Sequence, residues 1–266
     1  MYKDALTMEN PQISPPDQDL GSPERRFGGV ARLYGDAALA QFQKATVVVA
    51  GLGGVGSWAA EALARSAIGH LVLIDFDHIA ESNTNRQLHA LDGEYGKAKV
   101  EAMAQRITQI NPQIQLTCHD AFLEPDTLDA LIPADAIVLD ATDSVQVKIA
   151  LAAWSVANQR LLVMCGASGG KADPTQLRCD DLSRTEQDAL LAKVRVGLRT
   201  DHGFSRDLKK KMGIRAVYSK EPRAGAATGG LACSGYGSAV TVTAAAGLVA
   251  AAEVLSLIRM QHSISE

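Results

Sequence analysis

Three groups of residues in the first half of the chain have the types and spacing for phosphate chemistry. The first is the turn Gly51-Leu52-Gly53-Gly54-Val55-Gly56, entered from Thr46-Val47-Val48-Val49 and left through the helix-forming run Ser57-Trp58-Ala59-Ala60-Glu61-Ala62-Leu63. A strand, a glycine turn and a helix in that order aim backbone N–H groups and the positive end of a helix dipole at an anion. Gly51, Gly53, Gly54 and Gly56 omit the Cβ atoms that would hold a nucleotide off the backbone. The second group is Asp75-Phe76-Asp77, followed by Asn83-Thr84-Asn85-Arg86-Gln87 and then Lys99. The third is Asp140-Ala141-Thr142-Asp143.

The glycine turn and Asp75 alone would also suit an NAD-dependent oxidoreductase, with Asp75 on the ribose hydroxyls. Hydride transfer has no use for the rest of the cluster. An arginine, a lysine and a carboxylate around one phosphate loop suit a triphosphate: Arg86 and Lys99 offset phosphate charge, and Asp143 can hold magnesium. Asp140, at a strand-to-helix junction, reads as structural, and Lys97 as an ordinary helix lysine. His89 and His119 read as hydrogen-bonded structural histidines rather than acid–base groups.

The elements that position these groups alternate. Leu71–Ile74, Ile114–Cys118, Ala136–Leu139 and Leu161–Cys165 read as strands. Between them, Val100–Ile110, Asp126–Leu131 and Val145–Ala157 read as helices, the first stopping at Asn111-Pro112. Alternating β and α units with right-handed crossovers predict a Rossmann-like, doubly wound, mostly parallel sheet with an appended C-terminal segment. Every chemical motif then falls at a carboxyl end of a strand. The expected organisation is an arm over 1–24, with four prolines, and one α/β domain over 25–258. Within it, 239–258 is apolar enough to raise a membrane span, but its alanine-rich character and Glu253 favour a helix packed in the domain or at a dimer interface.

Charge suggests a partner. Residues 193–223 hold ten basic and three acidic side chains, net +7, while the remainder, with 16 basic and 27 acidic, is net −11. A positive segment on an acidic protein is the footprint expected for nucleic acid, with salt-sensitive phosphate contacts. Tyr218 inside it reads as packing. Cys118, Cys165, Cys179 and Cys233 are single, with no Cys-x-x-Cys, which disfavours a four-thiolate zinc site and suits a reducing cytoplasm. Cys233, in the glycine-rich run Gly229–Gly237, is the thiol with a possible reactive role.

The Gly-x-Gly-Gly-x-Gly turn, Asp75-x-Asp77, Asn83-x-x-Arg86-Gln87, Lys99 and Asp140-x-x-Asp143 together resemble the ubiquitin-activating-type adenylating superfamily, whose bacterial members activate carboxylates with ATP. Within it the chain is most similar to the tRNA threonylcarbamoyladenosine dehydratases, through Arg26–Gly35, Asn83–Leu91, Asp173-Pro174-Thr175-Gln176 and Cys233-Ser234-Gly235-Tyr236-Gly237. The resemblance covers about residues 25 to 258. It implies that Gly51, Gly53, Gly54 and Gly56 cradle phosphates, that Asp75 holds the ribose, that Asn83, Arg86, Gln87 and Lys99 contact the triphosphate, and that Asp143 carries Mg2+. It also implies a cytoplasmic homodimer acting on tRNA, room for a monovalent cation, and a cysteine desulfurase or sulfur acceptor as a further partner for Cys233. Arg86, Lys99, Asp143 and Cys233 are then the catalytic set. Related enzymes bring a phosphate-contacting arginine from near the N-terminus, often across a dimer; here Gly28 and Gly29 occupy the expected region, which leaves Arg26 and Arg32 as alternatives for that role. The rival readings are adenylation of a ubiquitin-like sulfur carrier, the NAD-dependent oxidoreductase, and a sulfur-relay module working through Cys233.

Overall fold

A computed structural model of the chain describes residues 22–222 and 237–263. Among the described residues seven strands form one sheet in the order β3-β2-β1-β4-β5-β7-β6. These are β1 (Thr46–Ala50), β2 (His70–Ile74), β3 (Gln115–His119), β4 (Ile137–Asp140), β5 (Leu162–Cys165), β6 (Leu177–Asp181) and β7 (Arg215–Ser219). All neighbours are parallel except β6, which runs antiparallel to β7.

The helices are α1 (Pro23–Tyr34), α2 (Asp36–Lys44), α3 (Gly56–Arg65), α4 (Lys99–Ile110), α5 (Leu128–Leu131), α6 (Val145–Ala157), α7 (Ala189–Asp201) and α8 (Val240–Ser263). The period-two alternation of β1 splits the core. Val47 and Val49 pack with Phe42, Leu63, Met103 and Val254 on one face, and Val48 and Ala50 with Leu151, Leu191 and Leu198 on the other. Helices cover both faces, as a doubly wound parallel sheet requires.

The ends of the domain differ from the sequence reading. Ser22 caps α1, whose first residues are Pro23 and Glu24, so the fold begins inside the segment read as an arm. At the other end α8 runs past 258 to Ser263, and the Arg259 guanidinium lies 5.4 Å from the centroid of the Tyr34 ring on α1. Val240–Gln261 is long and apolar enough to cross a membrane, and half of its apolar window is buried within the protein. Gly247 is why α8 can lie close along α3. A Cβ there would stand 2.4 Å from the Val55 carbonyl oxygen.

Candidate active site

The register of the central strands assembles the site. Ala50 lies opposite Ile74 on one side and Asp140 on the other, so Gly51, Asp75 and Ala141 leave the sheet side by side. The Gly51 N–H donates to the Ile74 carbonyl at 2.8 Å, and the Ala141 N–H to the Ala50 carbonyl at 2.8 Å. Gly51 turns the chain with φ +85°, a conformation that L side chains rarely adopt. Gly56 closes the turn onto the Gly51 carbonyl oxygen, which a Cβ at Gly56 would meet at 1.7 Å. Gly54 lets the Arg86 side chain and Thr243 of α8 come close, whereas a Cβ on Gly53 would meet nothing within 4 Å among the described residues. Among the described residues no side chain caps the first turn of α3. Its N–H groups and dipole remain for an anion, and the space at Gly53 admits one.

Asp75 is tied to the loop itself. Its carboxylate accepts from the Leu52 N–H at 2.5 Å and from the Asp77 N–H at 2.8 Å. Burial raises the Asp75 carboxyl above the ordinary aspartate value, against the opposing pull of Lys99 and these N–H groups. Lys99 reaches this point because residues 77–79 pair with 97–99. The Lys99 N–H donates to the Asp77 carbonyl at 3.1 Å, the Ile79 N–H to the Lys97 carbonyl at 2.9 Å, and His78 bridges to Ala98. The Lys99 side chain is 5% exposed, and its Nζ sits 2.7 Å from Asp77 Oδ2 and 3.8 Å from Asp75 Oδ1. Lys97 pairs with Glu94 on the surface at 2.9 Å.

The segment 83–88 is stitched to α3. Trp58 Nε1 donates to the Arg86 carbonyl at 3.0 Å, and the Leu88 N–H to Ser57 Oγ at 3.3 Å. The Arg86 guanidinium donates to the Ser82 carbonyl and to Asn85 Oδ1. Asn83 uses its side-chain oxygen to accept from the Ala80 N–H, so its amide hydrogens are its donors toward a phosphate. Gln87 is buried, and its side-chain oxygen has no partner among the described residues. Asp143 is exposed, three residues past the end of β4. One exposed carboxylate beside a phosphate loop suits magnesium, which takes one or two protein carboxylates and the remainder of its ligands from phosphate and water. Contacts join the glycine turn to Asp75 through Leu52, Asp75 to Lys99, and Gly54 to Arg86; Asn83 and Gln87 lie on the segment that carries Arg86, and Asp143 on the loop that follows β4. Cys233 lies outside the described residues.

Other residues fall elsewhere. The Arg26 guanidinium donates to the carbonyl of Ile110, at the far end of α4 from Lys99, about 16 Å away along a 12-residue helix. Arg26 is thus remote from the nucleotide loop of its own chain; Arg32 is exposed on the last turn of α1. The basic segment is not one continuous patch. Arg215 pairs with Glu253, Lys220 with Glu186, and Arg195 donates to Thr185, while Tyr218 is buried. The exposed cations Arg206, Lys209, Lys210 and Lys211 stand on the loop before β7, at the amino ends of the parallel strands; Arg223 lies outside the described residues. Charge composition ignores partners drawn from α8 and from the 182–186 turn.

Two groups escaped the sequence reading. Lys148 is wholly buried with its Nζ 3.0 Å from Asp140 Oδ2, and Thr142 donates to the other Asp140 oxygen through N–H and Oγ. Asp140 thereby shapes the loop that carries Asp143. Asp188 caps α7 at Leu191 and accepts from the Ala167 N–H beyond β5. The i, i+8 spacing of Asp140 and Lys148 across a strand–helix junction was the available signal for the first pair. His89 is structural, as its surroundings suggested: Nε2 donates to the Leu52 carbonyl at 3.0 Å, and burial pushes its pKa down to about 4.

The description of the ThiF family matches residues 28–265. The chain belongs to the ThiF family. Among its relatives, the tRNA threonylcarbamoyladenosine dehydratase of Escherichia coli (strain K12) is 44% identical over 247 residues, 87% of this chain and 92% of the relative. The solved structure of the E. coli tRNA N6-threonylcarbamoyladenosine dehydratase in complex with ATP superposes with a TM-score of 0.84 at 43% identity, covering 91% of this chain and 97% of that one. The likeness to the molybdopterin-synthase adenylyltransferase of Salmonella typhimurium (strain LT2) is 41% over 104 residues, 39% of this chain and 42% of the relative. The similarity thus covers 87% of the chain with the dehydratase and 39% with the adenylyltransferase.

Proposed function

We propose that this ThiF-family chain is an ATP-dependent tRNA-modifying enzyme that closes threonylcarbamoyladenosine, next to the anticodon, into its cyclic, dehydrated form. The observation that carries this reading is the near-full-length match to the dehydratases, set against the partial match to the sulfur-carrier activators. An NAD-dependent reaction would leave Lys99 and Arg86 without a task.

In this reading the threonyl carboxylate attacks the α-phosphorus of ATP, giving an acyl-adenylate and pyrophosphate. The carbamoyl group, held beside the activated carbonyl, then closes the ring and expels AMP, which carries away the oxygen lost from the carboxylate. Gly51, Gly53, Gly54 and Gly56 admit the phosphates to the backbone, and Asp75 receives the ribose. Arg86 and Lys99 offset charge gathering on the phosphate oxygens, with Asn83 and Gln87 as hydrogen-bonding groups. Lys99 can do so because its closest partner, Asp77, is 67% exposed and can yield the ammonium to a phosphate. Magnesium held by Asp143 would offset further phosphate charge. Ring closure is intramolecular, so positioning supplies much of the acceleration and no strong general base is required. The same reading includes a cytoplasmic homodimer. A monovalent cation and a sulfur-relay partner at Cys233 belong to it as subsidiary assignments from the family resemblance.

The test is incubation with ATP, magnesium and tRNA bearing threonylcarbamoyladenosine, followed by mass analysis of the nucleosides. A product lighter by one water is expected, and Arg86→Ala and Asp143→Ala should lose it. Full activity in both variants would remove the site assignment. Pyrophosphate exchange stimulated by a small carrier protein, with no change in the tRNA, would favour the carrier-activating reading.

A further inference from the structure

The Leu52–Gly53 peptide of the glycine turn is held at several points from inside the protein. The Leu52 side chain is wholly buried, and its N–H donates to Asp75 Oδ2. The Leu52 carbonyl accepts from His89 Nε2 at 3.0 Å. The Gly53 carbonyl accepts from the Ser57 N–H at 3.1 Å and from Ser57 Oγ at 2.7 Å. His89 and Ser57 are themselves buried. The Gly53 N–H is what remains, without a partner among the described residues. In a trans peptide the carbonyl and the N–H point in opposite directions, and no described peptide here is cis. His89 takes the Leu52 carbonyl on the packed side and so turns the Gly53 N–H away from it. His70 offers a contrast: its two ring nitrogens face Thr46 Oγ1 and Thr117 Oγ1, at 3.5 and 2.9 Å. His89 is 3% exposed, and its Nδ1 has no partner among the described residues. Burial keeps the ring neutral, and a carbonyl only accepts, so the proton lies on Nε2 and Nδ1 is a bare acceptor. An unpaired buried nitrogen costs stability, which points to the task of the other nitrogen as the reason for this residue.

We propose that His89 is a positioning residue of the phosphate site: by holding the Leu52 carbonyl, it aims the Gly53 N–H at a phosphate oxygen of ATP. The inference rests on the ATP-dependent reading given above and deepens it. His89 touches no substrate and acts through one peptide plane. The absence of a side chain at Gly53 makes that grip necessary. Glycine lets the peptide before it rotate at little cost, and a flipped Leu52–Gly53 peptide would present its carbonyl oxygen to the phosphate. A partial negative charge would then face an anion where a donor is needed. Asp75 does not prevent the flip, because the Leu52 N–H that it holds belongs to the preceding peptide. Ser57 holds the following one through the Gly53 carbonyl. The three grips fix three successive peptide planes, and His89 has the middle one. An N–H fixed in this way bonds to a charged oxygen without first having to reorient.

The experiment uses the full chain with two probes, ATP with magnesium and adenosine, which has the base and ribose but no phosphate. His89→Leu, close in size and without a donor, should weaken ATP binding in calorimetry by about 10–100-fold, the loss expected for one hydrogen bond to a charged group. Adenosine binding should be unchanged. His89→Gln carries an N–H that reaches the same carbonyl and should restore the ATP affinity. His89→Asn, polar but too short to reach it, should behave like His89→Leu and replaces that variant if it does not fold. In wild-type protein made with isotopically labelled glycine, the Gly53 amide proton should shift downfield with ATP and not with adenosine, a readout that needs no variant. During turnover on tRNA, His89→Leu should raise KM for ATP and leave KM for the RNA unchanged. Equal losses for ATP and adenosine, full ATP affinity in His89→Leu, or a Gly53 amide indifferent to ATP overturns the positioning role. The expected binding pattern in a chain that yields no dehydrated nucleoside would uphold that role while removing the proposed reaction.

Discussion

Two lysine–aspartate groups stand on either side of β1, one at the end of β2 and one at the end of β4. In the first, Lys99 contacts Asp77 and lies near Asp75, and Asp77 opens to solvent at 67% exposure. In the second, Lys148 and Asp140 are both at 0% exposure. The chemistry of the groups is the same; the access of water differs. A lysine with one exposed, exchangeable partner can trade it for a phosphate oxygen. A fully enclosed pair has no room for a substrate, and removing either member strands a buried charge. The first is therefore suited to the reaction and the second to holding the 140–144 loop in shape.

Breaking the enclosed pair should produce the largest loss of stability. Lys148→Ala is expected to lower the unfolding free energy by about 3–5 kcal/mol, read by urea denaturation. A loss below about 1 kcal/mol would show that the two groups are not set apart by burial. For Lys99→Ala the expected fall is in catalysis, roughly 10²–10³ in kcat, with a folded chain by circular dichroism. A change confined to stability would move Lys99 into the structural class with Lys148.

His89 sharpens the comparison, since it stabilises the site only while uncharged. Its folded-state pKa of about 4 lies below the ordinary 6.5, so the unfolded chain takes up the proton first as pH falls. Its contribution is complete above 6.5 and is lost as pH drops from 6.5 toward 4. Between pH 6.5 and about 5 the loss should be of the order of 2 kcal/mol, and His89→Gln should flatten it; equal slopes for wild type and variant would reject this account. The smallest effect is expected at Arg215–Glu253, 2.6 Å apart but with side chains 42% and 23% exposed. Glu253→Gln should cost less than about 1 kcal/mol, and a larger loss would place that pair with the enclosed one.

Much of the architecture was legible because it is written in local pattern. The valines of β1, the stop at Asn111-Pro112 and the glycine turn marked their own elements, and the doubly wound sheet followed from their alternation. The last third was harder to read. β6 and β7 are short strands, Leu177–Asp181 and Arg215–Ser219, separated by α7 and paired antiparallel, so nothing local announces their pairing. The basic run from 193 to 223 looked continuous along the chain and is divided in space among α7, a loop and β7.

The amino-acid sequence by itself determined that its chemical motifs fall at the carboxyl ends of neighbouring strands, because strand-end motifs in a parallel sheet converge whatever else the chain does. It also determined the family, through motifs spread along nearly the whole chain. Only the tertiary structure decided which aspartate is enclosed and which faces water, which end of α4 Arg26 reaches, and that His89 meets Leu52. Burial and pairing are properties of packing between distant segments, and spacing along the chain carries little information about them.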